Sequence, residues 1–231
     1  MKGLGITLHS LQPDVHDSFT GLEGSLSGAM EGVNVCRRAG LDFQIQTVAT
    51  RHNLQEIPAI IAYAQEMGAR AFNLFFLICT GRGQDLSDLS AEEYEGALSL
   101  LLDEHTKRNT DMIIRARCAP HFKRIARQER PHDFLIGSEM SGCLAATHYC
   151  RITPEGDVTP CPYMPLVAGN VRKGGFQEVW QNSDLFQTLR GAALKGKCGR
   201  CHFQDICAGN FRVRAEAFYG DVWQEDPACY L

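Results

Sequence analysis

The sequence predicts an α/β protein in which a parallel sheet, crossed by helices, is followed by a small cysteine-rich domain. Three observations carry that expectation. Strand-like and helix-like segments alternate through the first 130 residues. Beyond about residue 130 the periodicity fades, and seven of the ten cysteines gather there. With 231 residues at 44% hydrophobic content, the chain buries a substantial core rather than staying disordered.

The elements follow in order. "GLGITLHS" reads as a short strand, and "GSLSGAMEGVNVCRRAG" as a helix with Leu26, Ala29, Met30 and Val33 on one face and Gly40 just past its end. "LDFQIQTV" alternates Leu41, Phe43 and Ile45 with Asp42, Gln44 and Gln46, the pattern of a strand with two unlike faces. Asn53 is placed to cap "LQEIPAIIAYAQEMG", with Pro58 early enough in the helix to be tolerated. "AFNLFFLI" is a continuous apolar run suited to a strand buried on both faces. Ser90 and Glu93 form a capping-box pattern before "YEGALSLLLDEH", and "DMIIRARC" makes a fourth strand. Strands separated by helices imply right-handed crossovers and a parallel sheet, either open or part of a barrel.

Composition excludes several functions. A net charge of -4 leaves no global basic field, so a nucleic-acid partner is not expected. No apolar run approaches the roughly 20 residues that span a bilayer, and "MKGLGITLHS" is too short in apolar residues for a signal peptide. A cytoplasmic protein without a membrane partner is expected. In a reducing compartment cysteines are not kept as structural disulfides, which turns attention to metal or redox chemistry.

Cysteine spacing is the most specific feature. Cys198, Cys201 and Cys207 read C-x2-C-x5-C, with Cys229 following, and four thiolates close one metal site. Cys143, Cys150 and Cys161 supply a second group, the last two at either end of "CRITPEGDVTPC", whose Pro154, Glu155 and Gly156 supply a bend. Spacing alone leaves structural zinc and an iron–sulfur cluster both open, since each accepts four soft sulfur donors.

The order C-x6-C, "GDVTPC", "CGRCHFQDIC" and "DPAC" resembles the SPASM domain, the auxiliary-cluster module appended to many radical S-adenosylmethionine enzymes. Upstream, "ITLHSLQPDVHDSFTGLEGSLSGAMEGV", "TVATRHNLQEIP" and "FFLICTGRGQDLSDLSAEEYE" resemble the later βα units of the radical SAM partial barrel. "CTGRG", "RCAPHFKRI" and "CRITPEGDVTPCPYMP" look most like the haem-biosynthesis group that includes the alternative haem synthase and its haem d1 relatives. The resemblance covers nearly the whole chain and implies a partial barrel in residues 1–130 and a SPASM domain in 131–231.

That resemblance implies one complete auxiliary [4Fe–4S] site on Cys198, Cys201, Cys207 and Cys229. It implies a second with three cysteines, Cys143, Cys150 and Cys161, because Asn210 stands where relatives carry a cysteine. An open iron, a substitute such as His148, or a labile cluster all remain possible there. The SAM-cleaving motif of the family, C-x3-C-x2-C, is not in this sequence, since no two cysteines are four positions apart. The chain begins at what resembles the fourth barrel strand, so by itself it is not expected to cleave S-adenosylmethionine. It is expected to associate, through an exposed sheet edge, with a complementary chain or a second copy.

In the family mechanism an electron passed to S-adenosylmethionine yields a 5′-deoxyadenosyl radical, which abstracts a hydrogen from the substrate. The auxiliary clusters then take up or relay the remaining electron, and an electron donor is a required partner. For the haem-synthase group the hydrogen comes from a porphyrin propionate, and loss of carbon dioxide leaves a vinyl group. Arg115 and Arg117, on one face of a strand, are the candidates for holding propionates. His121, Lys123 and Arg124 follow them, although Lys123, Arg124 and Arg127 also read as a solvated helix face opposite Phe122 and Ile125. Arg82 in "TGRG" and Ser10, beside His9 at a strand end, are candidates for the cofactor. Cys36 reads as a small core residue. Cys79 and Cys118, at strand ends, read as buried inert thiols, reactive thiols or cluster donors. The catalytic group is not identified by sequence. Two rival functions stand beside haem synthesis: a peptide-modifying maturase, and a non-catalytic metal-binding protein serving electron transfer or structure.

Overall fold

A computed structural model describes residues 4–78, 89–108, 111–130, 143–191, 194–209 and 211–231. Arg82, Cys79 and Asn210 lie outside the described residues.

Four strands form one parallel sheet in the order β1-β2-β3-β4. They are β1 (Leu4–Thr7), β2 (Phe43–Ala49), β3 (Ala71–Phe76) and β4 (Ile113–Arg117). Between β1 and β2 run α1 (Pro13–Thr20) and α2 (Ser25–Arg38); a 3₁₀ turn (Leu54–Glu56) and α3 (Ile57–Glu66) join β2 to β3, and α4 (Ala91–Lys107) precedes β4. Sequential order with right-handed crossovers puts every connecting helix on one face, as in a barrel wall and unlike a doubly wound sheet.

The large core lies between that face and the helices. Phe43, Ile45, Phe72, Leu74, Phe76 and Ile114 reach it from the strands, Val33, Ile57, Ile60, Ile61, Tyr94, Leu98 and Leu101 from the helices. Phe72 is fully buried, and Phe72→Ala is expected to lower stability by about 3–5 kcal/mol, measured as a fall in the urea midpoint.

Local chemistry explains the element boundaries. Ser90 and Glu93 make the expected capping box, each side chain bonding the other's backbone N–H. Pro58 occupies the first turn of α3, where its missing N–H costs nothing. Asn53 is a correction: its side chain caps no helix. It takes the Thr50 N–H at 2.8 Å and donates to the carbonyls of His9 and Val48, bracing the ends of β1 and β2 together. Helix α1, begun by Pro13, was not expected from the sequence.

After α5 (Phe122–Glu129) comes a three-stranded antiparallel sheet, β5 (Arg151–Ile152), β6 (Asp157–Thr159) and β7 (Gly169–Asn170). The β5–β6 pairing is the expected hairpin, with Gly156 at φ 92° in its turn. Short helices follow: α6 (Val171–Gly174), α7 (Phe176–Asn182), α8 (Asp184–Gly191), α9 (Gln204–Cys207) and α10 (Arg212–Tyr219). A smaller core of Ala145, Ala146, Val158, Cys161, Met164, Phe186, Leu189 and Val213 lies beneath them. The two cores interlock: Ile78 belongs to the smaller one and Ala228 to the larger. Among the described residues no helix is long and apolar enough to cross a membrane.

Candidate functional site

Strand alternation gives the sheet a second face, turned away from the helices. Register aligns its residues in rows: Gly5, Gln44, Ala71 and Ile113; then Thr7, Gln46, Asn73 and Arg115; then Val48, Phe75 and Arg117. Parallel sheets usually bury both faces under apolar side chains, whereas this one carries amides and guanidinium groups. The polar groups are linked diagonally. Arg117 Nε donates to Asn73 Oδ1 at 3.0 Å, and Asn73 Nδ2 donates to Gln44 Oε1 at 2.9 Å. Gly5 leaves room for the Gln46 amide, which lies 2.5 Å from where a Cβ would stand.

Above the strand ends is a buried polar cluster. Ser10 is fully buried; its hydroxyl donates to the Glu56 carboxylate at 2.8 Å and accepts the Gln12 N–H. His9 takes the Val48 N–H on Nδ1, and its ring lies 4.0 Å from that of Phe19. Burial, and then the neighbouring His16, lower the His9 pKa to about 4, so at neutral pH it is an uncharged imidazole.

The cysteines fall into two neighbourhoods. In one, Cys198, Cys201 and Cys229 lie around Cys207, whose thiol is pushed up to about 12 by burial and then by the negative charge of Cys229, Cys198, Asp226 and Cys201. In the other, burial and then Cys143 and Cys161 push Cys118 up to about 11, against the opposing pull of Arg214 and Arg117. Backbone N–H groups are aimed at several of these sulfurs: Ala145 and Arg212 at Cys143, Tyr163 and Met164 at Cys161, Asp226 at Cys198, and Phe203 at Cys201, the last at 3.4 Å. A neutral thiol gains little from such donors; a thiolate bound to iron is tuned by them. Among the described residues no three His, Cys, Asp or Glu side chains gather tightly enough to hold a single metal ion. Four soft thiols with backbone N–H donors aimed at their sulfurs are the ligand chemistry of an iron–sulfur cluster.

A buried ion pair lies between the neighbourhoods. Arg214 Nε donates to Asp226 Oδ1 at 2.7 Å, Nη1 to Tyr94 Oη at 2.8 Å and Nη2 to the Cys118 carbonyl at 3.3 Å. Asp226 also accepts the N–H groups of Phe211 and Ala228. These bonds tie α10 and the C-terminal loop to α4 and the end of β4.

The structure thus brings together the four cysteines of the later site, and Cys143 with Cys161 of the earlier one. Cys150 packs on the same small core, but burial alone shifts its pKa, upward, with no other thiol contributing. His148 is exposed and pairs with Thr147. Arg115 and Arg117 share the polar face, as expected. Arg124 corrects the solvated-face reading: it is 2% exposed and donates to both oxygens of Glu95. His121 is buried too, and burial lowers its pKa to about 4, which removes it as a cation for carboxylates. Cys36 sits in the larger core. Sequence reasoning missed Gln44, Gln46 and Asn73 as site residues, although a lone Asn in "AFNLFFLI" was the signal for one. It also missed Arg214, Asp226 and Tyr94, whose partners lie too far apart in sequence to leave a local pattern.

Comparison with known proteins agrees with this geometry. Residues 143–202 match the SPASM model, an iron–sulfur cluster-binding domain. An AdoMet-dependent heme synthase of Methanosarcina barkeri is 37% identical over 241 residues, covering 99% of this chain and 67% of that protein. A pre-heme d1 synthase of Dinoroseobacter shibae is 30% identical over 239 residues, covering 94% of this chain and 58% of that protein. Streptococcus suis SuiB superposes with a TM-score of 0.75 at 17% identity, over 99% of this chain and 55% of SuiB, a likeness of fold. The chain therefore spans about two thirds or less of the length of these relatives. It belongs to the radical SAM enzymes that carry a SPASM iron–sulfur domain, in the group of the AdoMet-dependent haem synthases.

Proposed function

We propose that this chain supplies the substrate-holding sheet and the auxiliary iron–sulfur sites of a radical SAM enzyme that converts porphyrin propionates to vinyl groups. The observation that carries the proposal is the polar sheet face, opposite the one that packs on the connecting helices, where Arg115 and Arg117 stand among amides beside the end of the strand that leads to Cys118. A propionate becomes a vinyl group by losing one hydrogen atom, one electron and carbon dioxide. Bound S-adenosylmethionine and iron–sulfur clusters supply the hydrogen abstraction and the one-electron acceptance. The rest is positioning. Arg115 and Arg117 hold carboxylates through guanidinium forks, Asn73 fixes the plane of Arg117, and Val48 and Phe75 offer apolar contact to a macrocycle. We place the boundary between barrel units and SPASM domain at residues 130 and 131, with an electron donor as a partner.

The test is a Soret-band titration of the anaerobically reconstituted chain with iron coproporphyrin III and with its tetramethyl ester. Affinity at least tenfold weaker for the ester supports carboxylate recognition; equal affinity sinks the porphyrin reading. Preference for a peptide over the porphyrin favours the maturase reading, for which Mycofactocin maturase MftC of Mycolicibacterium smegmatis, 30% identical over 233 residues, is the precedent.

A further inference from the structure

Arg124 is a buried cation that porphyrin binding does not use. It stands on α5, the helix that follows the last strand of the parallel sheet. A guanidinium carries its N–H groups in one rigid plane, and most of those of Arg124 are accounted for. The end of its fork is taken from α4: Nη1 and Nη2 donate to the two carboxylate oxygens of Glu95. Nη1 also donates to Gln128 Oε1 at 2.9 Å. What remains is the side edge of the plane, where the Nε–H and the second Nη2–H run parallel. Nη2 lies 4.0 Å from Cys229 Sγ. Nε, on the same edge, is buried and has no hydrogen-bond partner among the described residues.

Buried N–H groups in folded proteins nearly always find an acceptor. A neutral thiol is a weak one, whereas a thiolate, as an anion, is a strong one. The edge also carries charge in a fixed direction. Glu95 is 23% exposed, so water screens its carboxylate, while Arg124 is buried, and the pair presents its positive end to Cys229. Asp226 has its own counter-charge in Arg214. Lys197 also reaches Cys229, but at the carbonyl oxygen, which leaves Arg124 as the cation turned to the sulfur.

We infer that Arg124 is a positioning residue for the iron–sulfur site on Cys198, Cys201, Cys207 and Cys229: its guanidinium, clamped by Glu95, donates to the Cys229 thiolate and raises the reduction potential of the cluster held there. The inference rests on reading those cysteines as cluster ligands. Reduction adds negative charge to a cluster, and a fixed cation at a ligand sulfur stabilises the reduced form. A helix packed against the parallel sheet thereby sets how readily the later thiol group takes up an electron.

The experiment reconstitutes the wild-type chain, Arg124→Gln, Glu95→Gln and Cys229→Ser anaerobically with iron and sulfide, counts the iron, and follows the EPR signals through a potentiometric titration. The signal lost or altered in Cys229→Ser marks the later site. Arg124→Gln is expected to move the potential of that signal down, so that its reduced-to-oxidised ratio at a fixed potential falls about tenfold, about 59 mV for one electron. Glu95→Gln removes the counter-charge but leaves an amide oxygen to hold the guanidinium, and is expected to move the potential up. Opposite signs separate tuning from a merely structural role, because both variants break the same ion pair. Unmoved potentials, or shifts of one sign in both variants, overturn the inference. If Arg124→Gln takes up no cluster at the later site, Glu95→Gln decides alone: a raised potential supports the inference, and an unmoved or lowered one overturns it. A wild-type chain that takes up no iron and sulfide defeats the iron–sulfur reading itself, a different result from either.

Discussion

Asp226→Ala is expected to cost about 3–5 kcal/mol, the penalty for stranding one member of a buried ion pair. Asp226 and Arg214 are 2% and 4% exposed. Removing the carboxylate leaves a guanidinium with no counter-charge and frees the N–H groups of Phe211 and Ala228. Replacing both members with apolar residues of similar volume is expected to cost much less than the single change, because no buried charge remains. Urea unfolding of the three variants, single, single and double, measures the difference. Near-additive losses would show that the pair is not coupled.

The same pair gives a pH dependence. Burial alone would raise the Asp226 pKa, but the Arg214 charge and its hydrogen bonds win and lower it from 3.8 to about 2. A depressed carboxyl stabilises the fold fully above its unfolded value, and that contribution is lost as pH falls through the interval from 3.8 to about 2. Stability measured against pH should show this step in wild type and lack it in the double variant.

Arg117→Ala is expected to weaken porphyrin binding by roughly ten- to 150-fold, the worth of a hydrogen bond to a charged group at about 1.5–3 kcal/mol. Arg117→Lys should recover only part of this, since an ammonium cannot present two parallel N–H groups to one carboxylate. Asn73→Ala leaves the guanidinium in place but releases its plane, so its effect should be smaller than that of Arg117→Ala. Titration with the free acid and the ester separates the two causes. If Arg117→Ala weakens both ligands equally, the arginine supports the fold and does not recognise carboxylates.

Much of the fold was legible because its signals are local. The alternation in "LDFQIQTV", the capping pair Ser90 and Glu93, and the bend at Gly156 each act within a few residues. Asn53 was misread for the same reason. Its position before a helix suggests a cap, but its hydrogen bonds go to strand ends brought near by the sheet. Arg124 looked solvated because its partner, Glu95, lies on another helix. The later cysteine set was legible from spacing, since its first three members are carried on one short segment. That Cys118 packs on the same small core as Cys143 and Cys150 was not legible, because β4 brings it there only once it has joined the sheet. Arg82 and Asn210 were singled out by sequence and lie outside the described residues.

The polar rows of the sheet also act as a ruler. Neighbouring strands lie roughly 4.8 Å apart, and alternate residues on one strand about 6.6 Å apart. Arg115 and Arg117 therefore start from a fixed separation that side-chain flexing alters only at the tips. A rigid ligand whose anionic groups match that spacing engages both cations without ordering any backbone, and a ligand with mismatched groups satisfies one at the expense of the other. Selectivity among substrates of equal charge would then be metric: the distance between carboxylates, set by strand geometry, decides which molecule sits squarely on the sheet.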